Sequence, residues 1–351
     1  MGRKTTTRGA WALALLAATS CLGLACSSDS VEPATGPESS PSTPPSEPAC
    51  DPARPAEAGT TEQTYDQNGA VRTYELTIPE DYDGTDAAPL VVLLHGAGGT
   101  AESVSEESSM PAEGAARGFV VVAPEALAAD VAVGSFGRIE GGIWNIAAAF
   151  TDPATGSTTT VPDAEITSND DVAFINGLVD HLEATLCIDA DREYVTGKSN
   201  GAGMAAMLAC EPTVRFAAIA PVAGINMTKF CAGSAVPPTI TFHGDADEHM
   251  PYLGGTIMDI ELGVPTVPDR VAELAAKQGC TDPTVSDVAE DVQLETWTCP
   301  EGAAMELYTV LGGGHTWPGQ DPDRKPELGR MTDSIDATAL ILDFFDEHPG
   351  D

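Results

Sequence analysis

Tyr194-Val195-Thr196-Gly197-Lys198-Ser199-Asn200-Gly201 decides how this chain is read. It holds the one Gly-x-Ser-x-Gly pattern in the sequence, set between a short apolar run at 194–195 and a helix-like stretch at 204–209. Strand, sharp turn and helix in that order lift a serine hydroxyl clear of a sheet edge, where it can act as a nucleophile. Glycine on both sides suits such a turn, because a Cβ at 197 or 201 would collide with the tightly folded backbone. With 35 glycines in 351 residues a single match could arise by chance, so it has to be weighed against the rest of the chain.

A serine nucleophile needs a base to take its proton and an acid to orient that base. After an elbow serine the acid and then the histidine follow along the chain. His249, His315 and His348 come after Ser199 with room for an acid between. His348 sits in a polar tail and reads as solvated, and His249 lies only two residues beyond the candidate acid. His315 stands in Gly312-Gly313-Gly314-His315-Thr316-Trp317-Pro318-Gly319, after an apolar run at 304–311, and is the expected base. Its three glycines suggest a backbone path that side chains would block; a purely loop-holding His315 is the alternative. The acid is expected where the run 239–242 ends, in His243-Gly244-Asp245-Ala246-Asp247-Glu248-His249. Asp247 is preferred because Asp245 is well placed to cap the turn, and an exchange of their roles stays open. These His and Asp residues match no metal-binding spacing, so neither a metal nor an organic cofactor is expected.

The oxyanion of an acyl transfer needs two N–H groups aimed at one point. Asn200, next after the serine, offers one. Ala97, in His95-Gly96-Ala97-Gly98-Gly99 after the apolar run 90–94, is expected to offer the other. Trp144, Asn145 and Trp317 are candidate substrate contacts, although packing is the commoner use of an indole.

Apolar runs at 90–94, 119–123, 194–195, 217–220, 239–242 and 304–311 read as buried strands, and 71–78 alternates like an early one. Helical patterns lie between them at 172–186, capped by Asp170 or Asp171, and at 271–276 and 338–345. Strand alternating with helix predicts an α/β fold, a mostly parallel central sheet with helices on both faces. Residues 126–169 lack a long periodic run, and so long a connection usually serves function as a lid or wall.

Residues 1–26 read as an export signal: Arg3, Lys4 and Arg8 precede an apolar stretch at 11–25. That stretch is shorter than the about 20 residues a membrane span needs. Leu24-Ala25-Cys26 ahead of Ser27-Ser28 suggests lipidation of Cys26; ordinary cleavage is the alternative. Residues 27–58, rich in Ser, Pro and Glu, read as a tether, and 59–351 as one catalytic domain. Past the signal, Cys50, Cys187, Cys210, Cys231, Cys280 and Cys299 suggest disulfides in an exported chain. Cys280 and Cys299 flank one local segment and are expected to pair; the other four are left open, Cys210–Cys231 being one candidate. A net charge of −38 argues against nucleic acid and anionic membrane as partners. The expected partner is an ester substrate, with membrane reached only through the lipid anchor; oligomeric state has no signal in the sequence.

Five motifs occur here in order: His-Gly-x-Gly-Gly from 95, Asp-Asp-Val-x-Phe-Ile from 170, Gly-x-Ser-Asn-Gly from 197, His-Gly-x-Ala-Asp from 243 with Pro251-Tyr252 after it, and Gly-Gly-Gly-His-Thr-Trp-Pro-Gly from 312. Together they resemble the exported α/β-hydrolase esterases named polyhydroxybutyrate depolymerases and feruloyl or acetylxylan esterases. The resemblance runs from about residue 60 to the C-terminus. It implies the α/β-hydrolase fold, Ser199 as nucleophile, Asp247 as acid and His315 as base, and an exported serine esterase acting on plant-wall esters or short-chain polyhydroxyalkanoate. Lys198 and Ala202 depart from the pattern, at positions that are usually small or apolar and glycine respectively. The rival readings are a catalytically silent, surface-tethered binding protein and a serine peptidase on the same fold.

Overall fold

The computed structural model describes residues 49–350 apart from 134–136, 153, 158–168, 212–213, 232, 234, 258–259 and 320–325. The signal, Cys26 and residues 27–48 of the tether lie outside the described residues. The first hairpin is β1 (Gly59–Gln67) and β2 (Ala70–Ile78). β3 (Ala88–Leu94) and β4 (Val120–Pro124) follow, with α1 (Ala101–Ser108) and α2 (Met110–Ala116) between them. β5 (Ala128–Val133) and β6 (Gly137–Gly142) pair apart from the main sheet. α3 (Asp171–Thr185) leads to β7 (Ile188–Lys198), α4 (Asn200–Leu208), β8 (Ala218–Val222) and β9 (Thr239–Gly244). A small hairpin, β10 (Gly255–Ile257) and β11 (Ile260–Val264), precedes α5 (Val267–Lys277). β12 (Thr281–Ala289), β13 (Val292–Thr298), β14 (Met305–Val310) and α6 (Ala337–Glu347) complete the domain.

Ten strands form one sheet in the order β1-β2-β4-β3-β7-β8-β9-β14-β13-β12. From β4 to β14 neighbours run parallel, and antiparallel hairpins finish both edges. The period-two alternation of a strand sends successive side chains to opposite faces. Leu90, Val92, Leu94, Val195 and Ile219 pack on α3 and α4. Val91, Leu93, Tyr194 and Phe242 pack on the other side with Val104, Met110 and the α6 residues Ile341 and Phe345. Helices therefore cover both faces, the architecture of an α/β-hydrolase. α3 begins where its cap dictates: the Asp170 carboxylate accepts the Ala173 N–H, and Phe174, Ile175, Leu178, Val179 and Leu182 form the buried stripe.

One boundary needs correction. Residues 49–58, expected to belong to the tether, are fastened to the domain. Cys50 is bonded to Cys187, its N–H donates to Thr85 O at 2.8 Å, and Arg54 reaches the carbonyls of Leu186 (3.0 Å) and Glu183. Composition marks this stretch as coreless, but a cross-link and backbone hydrogen bonds do not need a core. The remaining bridges are Cys210–Cys231 and Cys280–Cys299. Three disulfides fit an exported protein.

Candidate active site

Ser199 sits between the last residue of β7 and the first of α4, with φ 55° and ψ −119°. A serine in that left-handed region is strained and persists only where its surroundings over-determine it. Here they do. A Cβ on Gly197 would lie 2.6 Å from Leu94 O, and one on Gly201 only 2.2 Å from the same atom. A Cβ on Gly224 would lie 2.3 Å from Ser199 O. The Ser199 N–H is held by Val222 O at 2.9 Å. The turn is thus wedged between β3, β8 and the loop after β8, and only glycine fits at its flanks.

Asp247 follows β9 and His315 follows β14, so both leave the same carboxyl-end edge of the parallel strands as Ser199. The Asp247 side chain is fully buried. Its Oδ1 accepts the N–H groups of His249 and Met250, both at 2.8 Å, and its Oδ2 accepts from His315 Nδ1 at 2.7 Å. Burial alone would raise its pKa, but His315, His243 and the Met250 N–H outweigh this and hold the carboxyl below its ordinary value. With Nδ1 donating to Asp247, Nε2 is the basic nitrogen of His315, the tautomer a general base requires. The His315 loop is locked by backbone: Gly314 N–H donates to Arg330 O and His315 N–H to Leu328 O, each at 2.7 Å. A Cβ on Gly314 would come within 2.1 Å of Leu328 O. The exposed Asp245 carboxylate takes the Gly312 N–H and pins the start of the same loop. His243, fully buried, donates from Nε2 to Met250 O at 2.8 Å, and burial depresses its pKa. His249 stacks on the His315 ring at 5.2 Å between centroids, and it feels the charge of Lys198 beside the serine.

The loop at 95–99 lies against the elbow. A Cβ on Gly96 would stand 3.4 Å from Ser199 Cβ and 4.0 Å from its Oγ. Asn200 is the first residue of α4, so its N–H has no carbonyl partner within the helix. Gly96, next to Ala97, thus stands beside the serine side chain, and Asn200 follows the serine in the chain. Sequence reasoning missed what holds them. His95 is completely buried and spans the loop: Nδ1 donates to Gly96 O at 2.7 Å and Nε2 accepts the Ala126 N–H at 3.0 Å. Accepting at Nε2 requires the neutral ring, and burial holds its pKa down to about 4. Its place directly after the strand at the head of the Gly-rich run was the available signal.

Two expected substrate contacts are corrected. Trp144 and Trp317 have 0 % and 1 % of their surface exposed, so neither indole can meet a ligand in this conformation. Trp144 Nε1 donates to His95 O at 3.0 Å, and Trp317 Nε1 donates to Thr338 Oγ1 at 2.9 Å. Both satisfy a buried N–H, the commoner use of tryptophan. Asn145, half-buried, spends its side chain on Asn169 O (2.6 Å) and the Ala147 N–H (3.0 Å). Lys198, the departure noted beside the serine, is buried and ion-paired with Glu107 of α1.

Fold and elbow together define an α/β-hydrolase. No family model matches the chain. NocK of Nocardia uniformis subsp. tsuyamanensis, named provisionally as an esterase, is 29 % identical over 97 % of this chain and 98 % of its own length. Feruloyl esterase C of Emericella nidulans is 28 % identical over 70 % of this chain and 82 % of its own. Among solved structures, Thermogutta terrifontis esterase 2 phosphorylated by paraoxon superposes with a TM-score of 0.51 at 15 % identity, covering 82 % of this chain and 94 % of that one, a likeness of fold. The chain has the α/β-hydrolase fold, and the relatives named as esterases support a carboxylic ester hydrolase.

Proposed function

We propose that the protein is an exported serine esterase working through Ser199, His315 and Asp247. Ser199 Oγ attacks the ester carbonyl while His315 Nε2 takes its proton. The ester C–O bond then breaks, and the same imidazole returns the proton to the leaving alcohol. Water, deprotonated by His315, releases the acid and restores Ser199. Asp247 holds the imidazole by its Nδ1 and stabilises the imidazolium. The N–H groups of Ala97 and Asn200 receive the oxyanion, each worth roughly 3 kcal/mol of barrier. The 2.7 Å bond between His315 Nδ1 and Asp247 Oδ2, made by two buried side chains on separate loops, carries this reading. One relative named feruloyl esterase C and another named a probable one support feruloyl esters of plant polysaccharide as the substrate class ahead of polyhydroxybutyrate. The N-terminal residues 1–26 serve as the export signal, with Cys26 lipidated, and 27–48 as the tether; a Cys26→Ser protein that stays membrane-bound would overturn the anchor.

The test is Ser199→Ala together with a fluorophosphonate. The wild type takes one label, at Ser199, and hydrolyses aryl and acetyl esters. Ser199→Ala keeps the fold and loses at least about 1,000-fold in kcat. Retained turnover, or a label elsewhere, refutes the mechanism. A panel of methyl ferulate, acetylated xylan oligomers and hydroxybutyrate oligomers sorts the substrate, and preference for the last would reverse the assignment of class.

A further inference from the structure

The Asp-Asp-Val-x-Phe-Ile motif at 170–175 has no part in the reaction as written. Asp170 caps α3, but Asp171 does something else. Its side chain has 0 % exposure and faces Arg72 of β2, itself 3 % exposed. Asp171 Oδ1 accepts from Arg72 Nη1 at 2.9 Å, and Oδ2 accepts the Asn145 N–H at 2.8 Å. Arg72 Nε and Nη2 donate to Glu125 O at 3.3 and 2.9 Å, and its guanidinium lies 3.8 Å over the Phe174 ring. One buried ion pair thus holds both ends of the segment 125–145.

Each end holds one side of the oxyanion site. At the first, the Ala126 N–H donates to His95 Nε2 at 3.0 Å, and His95 Nδ1 donates to Gly96 O beside Ala97 at 2.7 Å. At the second, the Trp144 N–H donates to Asn200 Oδ1 at 2.7 Å, and Asn200 Nδ2 returns a bond to Trp144 O at 3.2 Å. Trp144 Nε1 then closes the ring onto His95 O at 3.0 Å. We propose that Arg72 and Asp171 are a positioning pair for the oxyanion site, fixing the distance between the Ala97 and Asn200 N–H groups through the ends of the segment they share. A buried ion pair is weak as a source of net stability, since desolvation offsets much of its attraction. Its geometric hold on two loops is the more economical account.

The inference rests on Ser199 as the nucleophile, and Ser199→Ala serves as the control that tests that reading separately. Asp171→Ala, Asp171→Asn and Arg72→Lys are made in the full chain, and active sites are counted by end-point fluorophosphonate labelling. Arg72→Lys keeps a charge for Asp171 but cannot also span to Glu125 O. Per labelled site on p-nitrophenyl acetate, kcat falls about ten-fold or more in Asp171→Ala and Arg72→Lys, with KM within about two-fold of wild type. Affinity for a boronic acid, which mimics the tetrahedral state, falls in parallel. Asp171→Asn, whose amide offers one acceptor oxygen in place of two, keeps only one of the bonds and recovers only part of the loss. If Asp171→Ala fails to fold, Arg72→Lys and Asp171→Asn carry the comparison. Wild-type kcat per labelled site with a lowered melting temperature means the pair is only structural, and the inference falls. Turnover surviving in Ser199→Ala brings down the mechanism instead.

Discussion

At the scale of single residues, the site separates groups that must ionise from groups that must not. Asp247 is kept as a carboxylate by His315 and peptide N–H groups despite burial, whereas burial keeps His95 neutral. The second has a consequence for stability. An unfolded histidine titrates near 6.5, but folded His95 is held down to about 4. Between those values the unfolded chain binds a proton that the folded one refuses, so acid favours unfolding. The His95 contribution is therefore complete above about pH 6.5 and drains away as pH falls toward 4. His95→Gln keeps an acceptor but does not titrate. Urea unfolding at pH 7 and pH 4 is expected to show the wild type losing about 3 kcal/mol more than the variant. Equal losses in both would mean that the ring is not held neutral.

Among the helices and strands, α4 and α3 each carry a glycine whose replacement should act in opposite directions. A Cβ at Gly201 meets the Leu94 and His95 carbonyls at 2.2 and 2.6 Å, backbone that cannot yield without parting β3 from the elbow. A Cβ at Gly177 meets the Tyr65 hydroxyl at 2.7 Å, the far end of a half-buried side chain. Gly201→Ala should cost roughly 3 kcal/mol or more and abolish turnover. Gly177→Ala should be neutral or gain up to about 1 kcal/mol from helix propensity. Denaturation midpoints and specific activity check both, and a stable, active Gly201→Ala would show that the elbow has slack. The same contrast explains what the sequence discloses. Strands β3 and β4 are buried on both faces and read as continuous apolar runs, and the glycine spacing around Ser199 and His315 marks where backbones touch. β1 and β12 lie at sheet edges with almost every side chain exposed, so GTTEQTYDQ and TDPTVSDVA carry no apolar alternation to read. α1 is short and polar and is specified by the reciprocal Thr100–Ser103 cap more than by its one valine. Asp247 was preferred to Asp245 only because the latter suited a turn cap, and the contacts of Arg72 with Asp171 join residues 99 apart in sequence and leave no local trace. The tryptophans misled because side-chain type near a site says little about which way an indole faces.

For the molecule as a whole, the cross-links and the chemistry lie at opposite ends of the sheet. Cys187 stands just before β7 and Ser199 just after it. Along an extended strand of 11 residues they are roughly 35 Å apart. Cys50–Cys187 closes a loop with a separation of 137 residues, against 21 and 19 for the other two bridges. The three loops do not overlap in sequence, so each restrains its own part of the unfolded chain. The loop-entropy model then assigns the long bridge at most about 5 kcal/mol and each short one about 3 kcal/mol. Cys50→Ser with Cys187→Ser should therefore lower the melting temperature more than loss of either short bridge. It should also free the 49–58 strap, detected as new proteolytic cleavage there, while kcat at 25 °C stays at the wild-type value. A large fall in kcat at a temperature where the variant remains folded would show that strain passes along β7 to the elbow, and that the sheet is a less rigid platform for Ser199 than its packing on both faces implies.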